Sequence, residues 1–108
     1  MAARKFGTNT LTGTVWNHVM TAQPGYDTTV TIHVTNHSQA DIRVDLAITA
    51  DVSASVPEED IFYLNQLVYA QDSRAFLGVV IEENQSLAAR STSGNVTILV
   101  YGFEEEQP

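Results

Sequence analysis

The stretch YDTTVTIHVTNHS, residues 26–38, places Val30, Ile32 and Val34 at every second position and Thr29, Thr31, His33 and Thr35 between them. A side-chain period of two belongs to an extended chain with one face against a core and the other toward solvent, and no helix satisfies it. The pattern returns in ADIRVDLAITAD, where Ile42, Val44, Leu46 and Ile48 alternate with Asp41, Arg43, Asp45, Ala47 and Thr49. No long amphipathic helical stretch competes with it, so the chain is expected to be all-β.

Turn signals divide the remainder. TGTVWNHVMTA reads as a strand that stops at Pro24-Gly25, and NHSQAD between the two clearest strands predicts an antiparallel hairpin around residues 36–41. Pro57 followed by Glu58, Glu59 and Asp60 predicts one short helical turn, with the acids at its positive end. FYLNQLVYA, AFLGVVIE and SLAARSTS follow as strands, separated by AQDSR and EENQS, and Ser93-Gly94-Asn95 turns into a last strand, VTILVYGF. The count is about seven strands at spacings near those of an antiparallel β-sandwich, Ig-like or jelly-roll-like, with the strand order left open. At 108 residues one core suffices: the reading is an N-terminal arm over residues 1–12 and a single sandwich domain over residues 13–108.

Two strands break the alternation. AFLGVVI and VTILVYGF are apolar on both faces; in the latter Val96, Ile98 and Val100 share one side, and Leu99, Tyr101 and Phe103 the other. An antiparallel sheet with one wet face should not read this way. Either a loop covers the second face or another chain does, and Leu99, Tyr101 and Phe103 become the candidate subunit interface.

Charge narrows the partners. Residues 1–26 hold Arg4 and Lys5 with no acid, whereas residues 27–108 hold three arginines against thirteen acids, a formal charge of −10. Such a body repels phosphate backbones, so no direct nucleic-acid binding is expected. The basic start suits contact with an acidic partner or a sister subunit, and Arg4, Lys5 and Phe6 are the candidate docking residues. No apolar run reaches the length of a secretory signal core or a membrane span, which points to synthesis in a cytoplasm and no membrane partner.

No arrangement of residues in the sequence points to a site for chemistry. The chain has no cysteine, which removes disulfides, thiolate catalysis and Cys-based zinc sites. His18, His33 and His37 have no spacing that would bring them within about 2 Å of one ion, so no metal is expected. Glu58-Glu59 and Glu82-Glu83 are adjacent turn acids, unlike a glycosidase pair held about 5 to 9.5 Å apart across a cleft, and no calcium-loop pattern surrounds them. No G-x-S-x-G occurs, so the chain reads as a non-enzyme without cofactors. Three Asn-x-Ser/Thr sequons, at Asn36, Asn84 and Asn95, read as chance matches in a chain rich in these residues. Trp16, Tyr63, Tyr69, Tyr101 and Phe103 could form a sugar-binding platform or serve as core and interface packing.

The two halves together resemble a group of small virion structural proteins of tailed bacteriophages. Their N-terminal half runs V-x-I/V-x-V-x-N-x-x-x-x-x-I-x-V-x-L-A-I, matched by TVTIHVTNHSQADIRVDLAIT. An Ile-Phe-Tyr-like entry and a strand ending G-V/L-V-I/L then lead to L-x-A-R-S-x-x-x-N-V-x-I/V-x-V-Y-G-F/I-E-E, matched within LGVVIEENQSLAARSTSGNVTILVYGFEE. The similarity covers roughly residues 26–105 and is one of packing motifs, Ala89-Arg90-Ser91 and Tyr101-Gly102-Phe103 among them. The resemblance implies a capsid decoration, or cement, protein: a homotrimer on the capsid exterior bridging major capsid proteins, made in a host bacterial cytoplasm. A tail, fibre or adaptor protein of the virion, and a carbohydrate-binding β-sandwich module, are the alternative readings.

Overall fold

The computed structural model describes residues 4–12, 14–50 and 56–107. Among these residues eight strands form two antiparallel four-stranded sheets: β1 (Arg4–Thr12), β2 (Asn17–Thr21), β3 (Tyr26–Asn36), β4 (Ile42–Thr49), β5 (Ile61–Val68), β6 (Ser73–Ile81), β7 (Ser86–Ser91) and β8 (Gly94–Glu106). One sheet runs β1-β8-β3-β6 and the other β2-β7-β4-β5. Among the described residues the only helical piece is a single 3-10 turn at Glu58–Asp60, preceded by Pro57 in extended conformation, where the proline and its acids predict it.

The pairings are nested. β1 pairs β8, β2 pairs β7, β3 pairs β6 and β4 pairs β5, as though one long antiparallel ribbon had been rolled so that β3 also meets β8 and β4 also meets β7. Two such four-stranded sheets with this order are a jelly roll, one of the ways an all-β chain hides its sheet edges.

Rolling has a local consequence for the turns. Every connection except that between β4 and β5 crosses from one sheet to the other. The expected hairpin at residues 36–41 is therefore corrected: β3 and β4 lie in different layers, and the polar turn carries the chain across the end of the sandwich. Alternation told which residues face inward on each strand, but two half-buried strands look alike whether they pair side by side or face to face. TGTVWNHVMTA is corrected likewise, since β1 ends at Thr12 and β2 starts only at Asn17.

Side chains from both sheets close the core. Val30, Ile32 and Val34 of β3, Val96, Ile98 and Val100 of β8, Val44 and Leu46 of β4, and Leu87 and Ala89 of β7 are all buried in one cluster. The inward faces are those the alternation assigned. Asn36 staples one end of the sandwich: its Nδ2 donates to the carbonyls of Ala40 (2.8 Å), Val68 (3.2 Å) and Tyr69 (3.2 Å). Its Oδ1 accepts from the Ser38 N–H at 2.9 Å and hydroxyl at 2.7 Å. One buried amide thus ties the β3–β4 turn to the start of the β5–β6 turn.

Candidate interaction surface

The two outer faces of the sandwich differ. On the β2-β7-β4-β5 sheet, Ala47 and Ala88 are directly opposite each other and point away from the core, yet both are fully buried, with the 3-10 turn lying against β4. Around these two alanines the chain covers the face itself, whereas Arg43 and, on β5, Phe62 and Leu64 stay exposed on it.

On the β1-β8-β3-β6 sheet the outward residues of β8 are Leu99, Tyr101 and Phe103, as the alternation predicted. Tyr101 is 38% and Phe103 47% exposed, and Leu99 is half-buried. β8 is a central strand, so these side chains occupy the middle of the face rather than its rim. Cross-strand register extends the patch. Phe103 faces Thr29, which faces Val80; Tyr101 faces Thr31 on one side and Lys5 on the other; Leu99 faces His33 and Thr8. The imidazole of His33 stacks on the Tyr101 ring at 5.2 Å between centroids, and His33 Nε2 lies 3.0 Å from the Tyr101 hydroxyl oxygen.

β6 adds the most exposed apolar side chain. Opposite the short span between Val30 and Ile32, β6 accommodates both Leu77 and Gly78, a bulge made possible by Gly78 at φ +68°. The bulge resets the alternation, which is why AFLGVVI is apolar on both sides: Phe76, Val79 and Ile81 are buried, whereas Leu77 is 74% and Val80 53% exposed. The exposed apolar side chains thus come from two strands, Leu77 and Val80 from β6 and Leu99, Tyr101 and Phe103 from β8, with Thr29, Thr31 and His33 of β3 between them.

The N-terminal expectations change. Arg4–Thr12 form β1, hydrogen-bonded along β8, so over these residues there is a strand and not a free arm. The alternation of polar threonines and asparagine in RKFGTNTLT hid it, since only Leu11 of this strand is fully buried. The three docking candidates separate accordingly. Arg4 pairs with Glu104 and places its guanidinium 4.5 Å over the Phe6 ring, and Phe6 packs against the core. Lys5 alone points outward, beside Tyr101 on the apolar face.

The remaining candidates do not converge. His18 Nε2 meets Thr21 Oγ1 at 2.7 Å, His37 Nε2 meets Thr97 Oγ1 at 3.0 Å, and His33 belongs to Tyr101. Among the described residues no group of three or more metal-ligating side chains is gathered. The Glu83 carboxylate accepts the Gly25 N–H at 2.6 Å, a turn-holding contact. The five aromatics form no common platform: Tyr101 and Phe103 lie on one outer face, Tyr63 meets buried Phe76 in a tilted contact with centroids 4.5 Å apart, Tyr69 is in the β5–β6 turn, and Trp16 lies 4.4 Å from the Arg90 guanidinium on the opposite sheet.

Arg90 is the residue that sequence reasoning treated only as part of a packing motif. Its Nε donates to Asp45 Oδ2 at 2.7 Å, and Asp45 Oδ1 in turn accepts the Asn65 N–H at 2.8 Å. Asn65 has φ 55°, at a bulge in β5. No helical spacing or motif announces such a row, because its members come from strands far apart in the chain.

No protein-family model, no curated protein and no solved structure matches this chain.

Proposed function

We propose that this chain is a structural subunit of a tailed-bacteriophage virion, a capsid decoration protein that trimerises and stabilises the shell by bridging major capsid proteins. The observation that carries the reading is the uncovered apolar face centred on Tyr101 and Phe103. Large apolar side chains exposed together on a sheet face, here from β6 and β8, mark a surface meant to be covered. The packing-motif resemblance across residues 26–105 supplies the virion context, and the jelly roll agrees with it, being an architecture of viral capsid domains as well as of lectins.

In this reading Leu99, Tyr101 and Phe103 meet sister subunits, and Lys5 on the edge strand β1 contributes to contact with the shell. The mechanism is mechanical. Packaged DNA pushes a thin shell outward, and a clip across neighbouring capsid proteins adds buried interface that must be lost before they part. Binding in the millimolar to micromolar range is worth about 4 to 8 kcal/mol per contact, and many copies per particle sum to substantial reinforcement.

Co-sedimentation with shells assembled from the cognate major capsid protein tests this. Saturable pelleting, weakened by Lys5→Glu, is the expected result. Association with isolated tails in place of shells would move the protein to the tail, and glycan binding without any pelleting would select a carbohydrate-binding module.

A further inference from the structure

On the sheet opposite the apolar face, a row of side chains runs from Trp16, just before β2, across β7, β4 and β5: Trp16 beside Arg90, Arg90 opposite Asp45, and Asp45 bonded to Asn65. Arg43, two residues before Asp45 on the same face of β4, donates through Nη1 to the Asn65 carbonyl at 3.1 Å. Arg43, Asp45, Asn65 and Arg90, with Thr14 and Thr92, line a cavity of about 190 Å³. We infer that this cavity is a binding site for a single carboxylate group, held by Arg43 and Arg90.

The geometry gives the reason. Arg90 is braced on two sides, by the Trp16 ring over its plane and by Asp45 at Nε, which fixes the guanidinium without occupying its terminal nitrogens; among the described residues those two nitrogens have no acceptor. Arg43 is anchored through one nitrogen only among the described residues. Two preset guanidiniums present planar forks of donors, the arrangement that matches a carboxylate. Asp45 sets the charge selectivity. Two arginines and one aspartate leave the site with a single positive charge, which suits a monoanion, while a dianion would meet both Asp45 and the strongly acidic body. The room available, about six waters' worth, fits a carboxylate and its adjacent carbons.

Trp16 is the only tryptophan, so its emission reports on Arg90 directly. The full chain is titrated with sodium acetate, with sodium sulfate, and with a blocked glutamyl tripeptide amide, all against sodium chloride at equal ionic strength. A saturable change with acetate is expected, with sulfate weaker and the response about tenfold weaker in Arg43→Gln. Because Arg43 also holds Asn65, Arg43→Lys serves beside it: it keeps a charge of similar reach but loses the fork, and is expected to weaken binding while near-UV circular dichroism stays unchanged. Peptide binding at least about tenfold tighter than acetate assigns the carboxylate to a protein partner, and equal binding assigns it to a small acid. A response no different from chloride, sulfate binding tighter than acetate, or identical titrations for the parent chain and a folded Arg43 variant would overturn the inference.

Discussion

His33 and Tyr101 lie side by side on neighbouring strands with ring planes 18° apart and centroids 5.2 Å apart, out on the face of a sheet where a lone sandwich would place polar groups. Stacking orients Tyr101 and leaves it 38% exposed. A tyrosine set in place before a partner arrives loses little conformational freedom on burial, a property of interface anchors. Tyr101→Asp combined with Phe103→Asp is expected to abolish self-association while the monomer keeps its fold, since neither side chain belongs to the core. Sedimentation velocity and circular dichroism on the same sample check both halves.

Gly102 lies between those two aromatics for a steric reason. A Cβ there would lie 2.0 Å from the Thr29 carbonyl oxygen and 2.8 Å from the Val30 Cα, both backbone atoms of the paired strand β3. Neither can swing aside, so Gly102→Ala must force β8 and β3 apart at the centre of the sheet. A loss of about 3 kcal/mol is expected in urea unfolding, well beyond a surface substitution.

Asn36→Ala removes the amide that serves the carbonyls of Ala40, Val68 and Tyr69 together. The Val68 contact is buried, and a carbonyl left there without a donor is costly. We expect a loss of about 2 to 4 kcal/mol, and Asn36→Asp should not rescue it, because a carboxylate cannot donate to a carbonyl. Chemical denaturation of both variants checks this.

Thr28 offers the opposite sign. Its residue is fully buried and its hydroxyl has no hydrogen-bond partner among the described residues. Thr28→Val replaces the hydroxyl with a methyl of similar size and is expected to stabilise the fold by about 1 kcal/mol. A lowered melting temperature would show that the hydroxyl is used.

Inward and outward faces of β3 and of most of β4 were legible because apolar and polar residues alternate there and the core takes the apolar side. The anomaly of VTILVYGF was legible too, since Leu99, Tyr101 and Phe103 are too apolar for a wet face. Which strands pair was not legible: register depends on contacts such as Asn36 with Val68 that join residues distant in the chain, and alternation carries no such information. β1 escaped because threonines and an asparagine fill an edge strand as readily as they fill a loop. The row Trp16, Arg90, Asp45 was invisible for the same reason as the pairing, being created by the roll of the sheets.

The proposed trimer puts copies of this chain over the apolar face of the β1-β8-β3-β6 sheet. The molar mass of the purified protein by light scattering, across a range of concentrations, tests it most directly. A species near three times 11.8 kDa is expected. A well-dispersed species of 11.8 kDa at every concentration, with Tyr101 and Phe103 open to solvent, would contradict it.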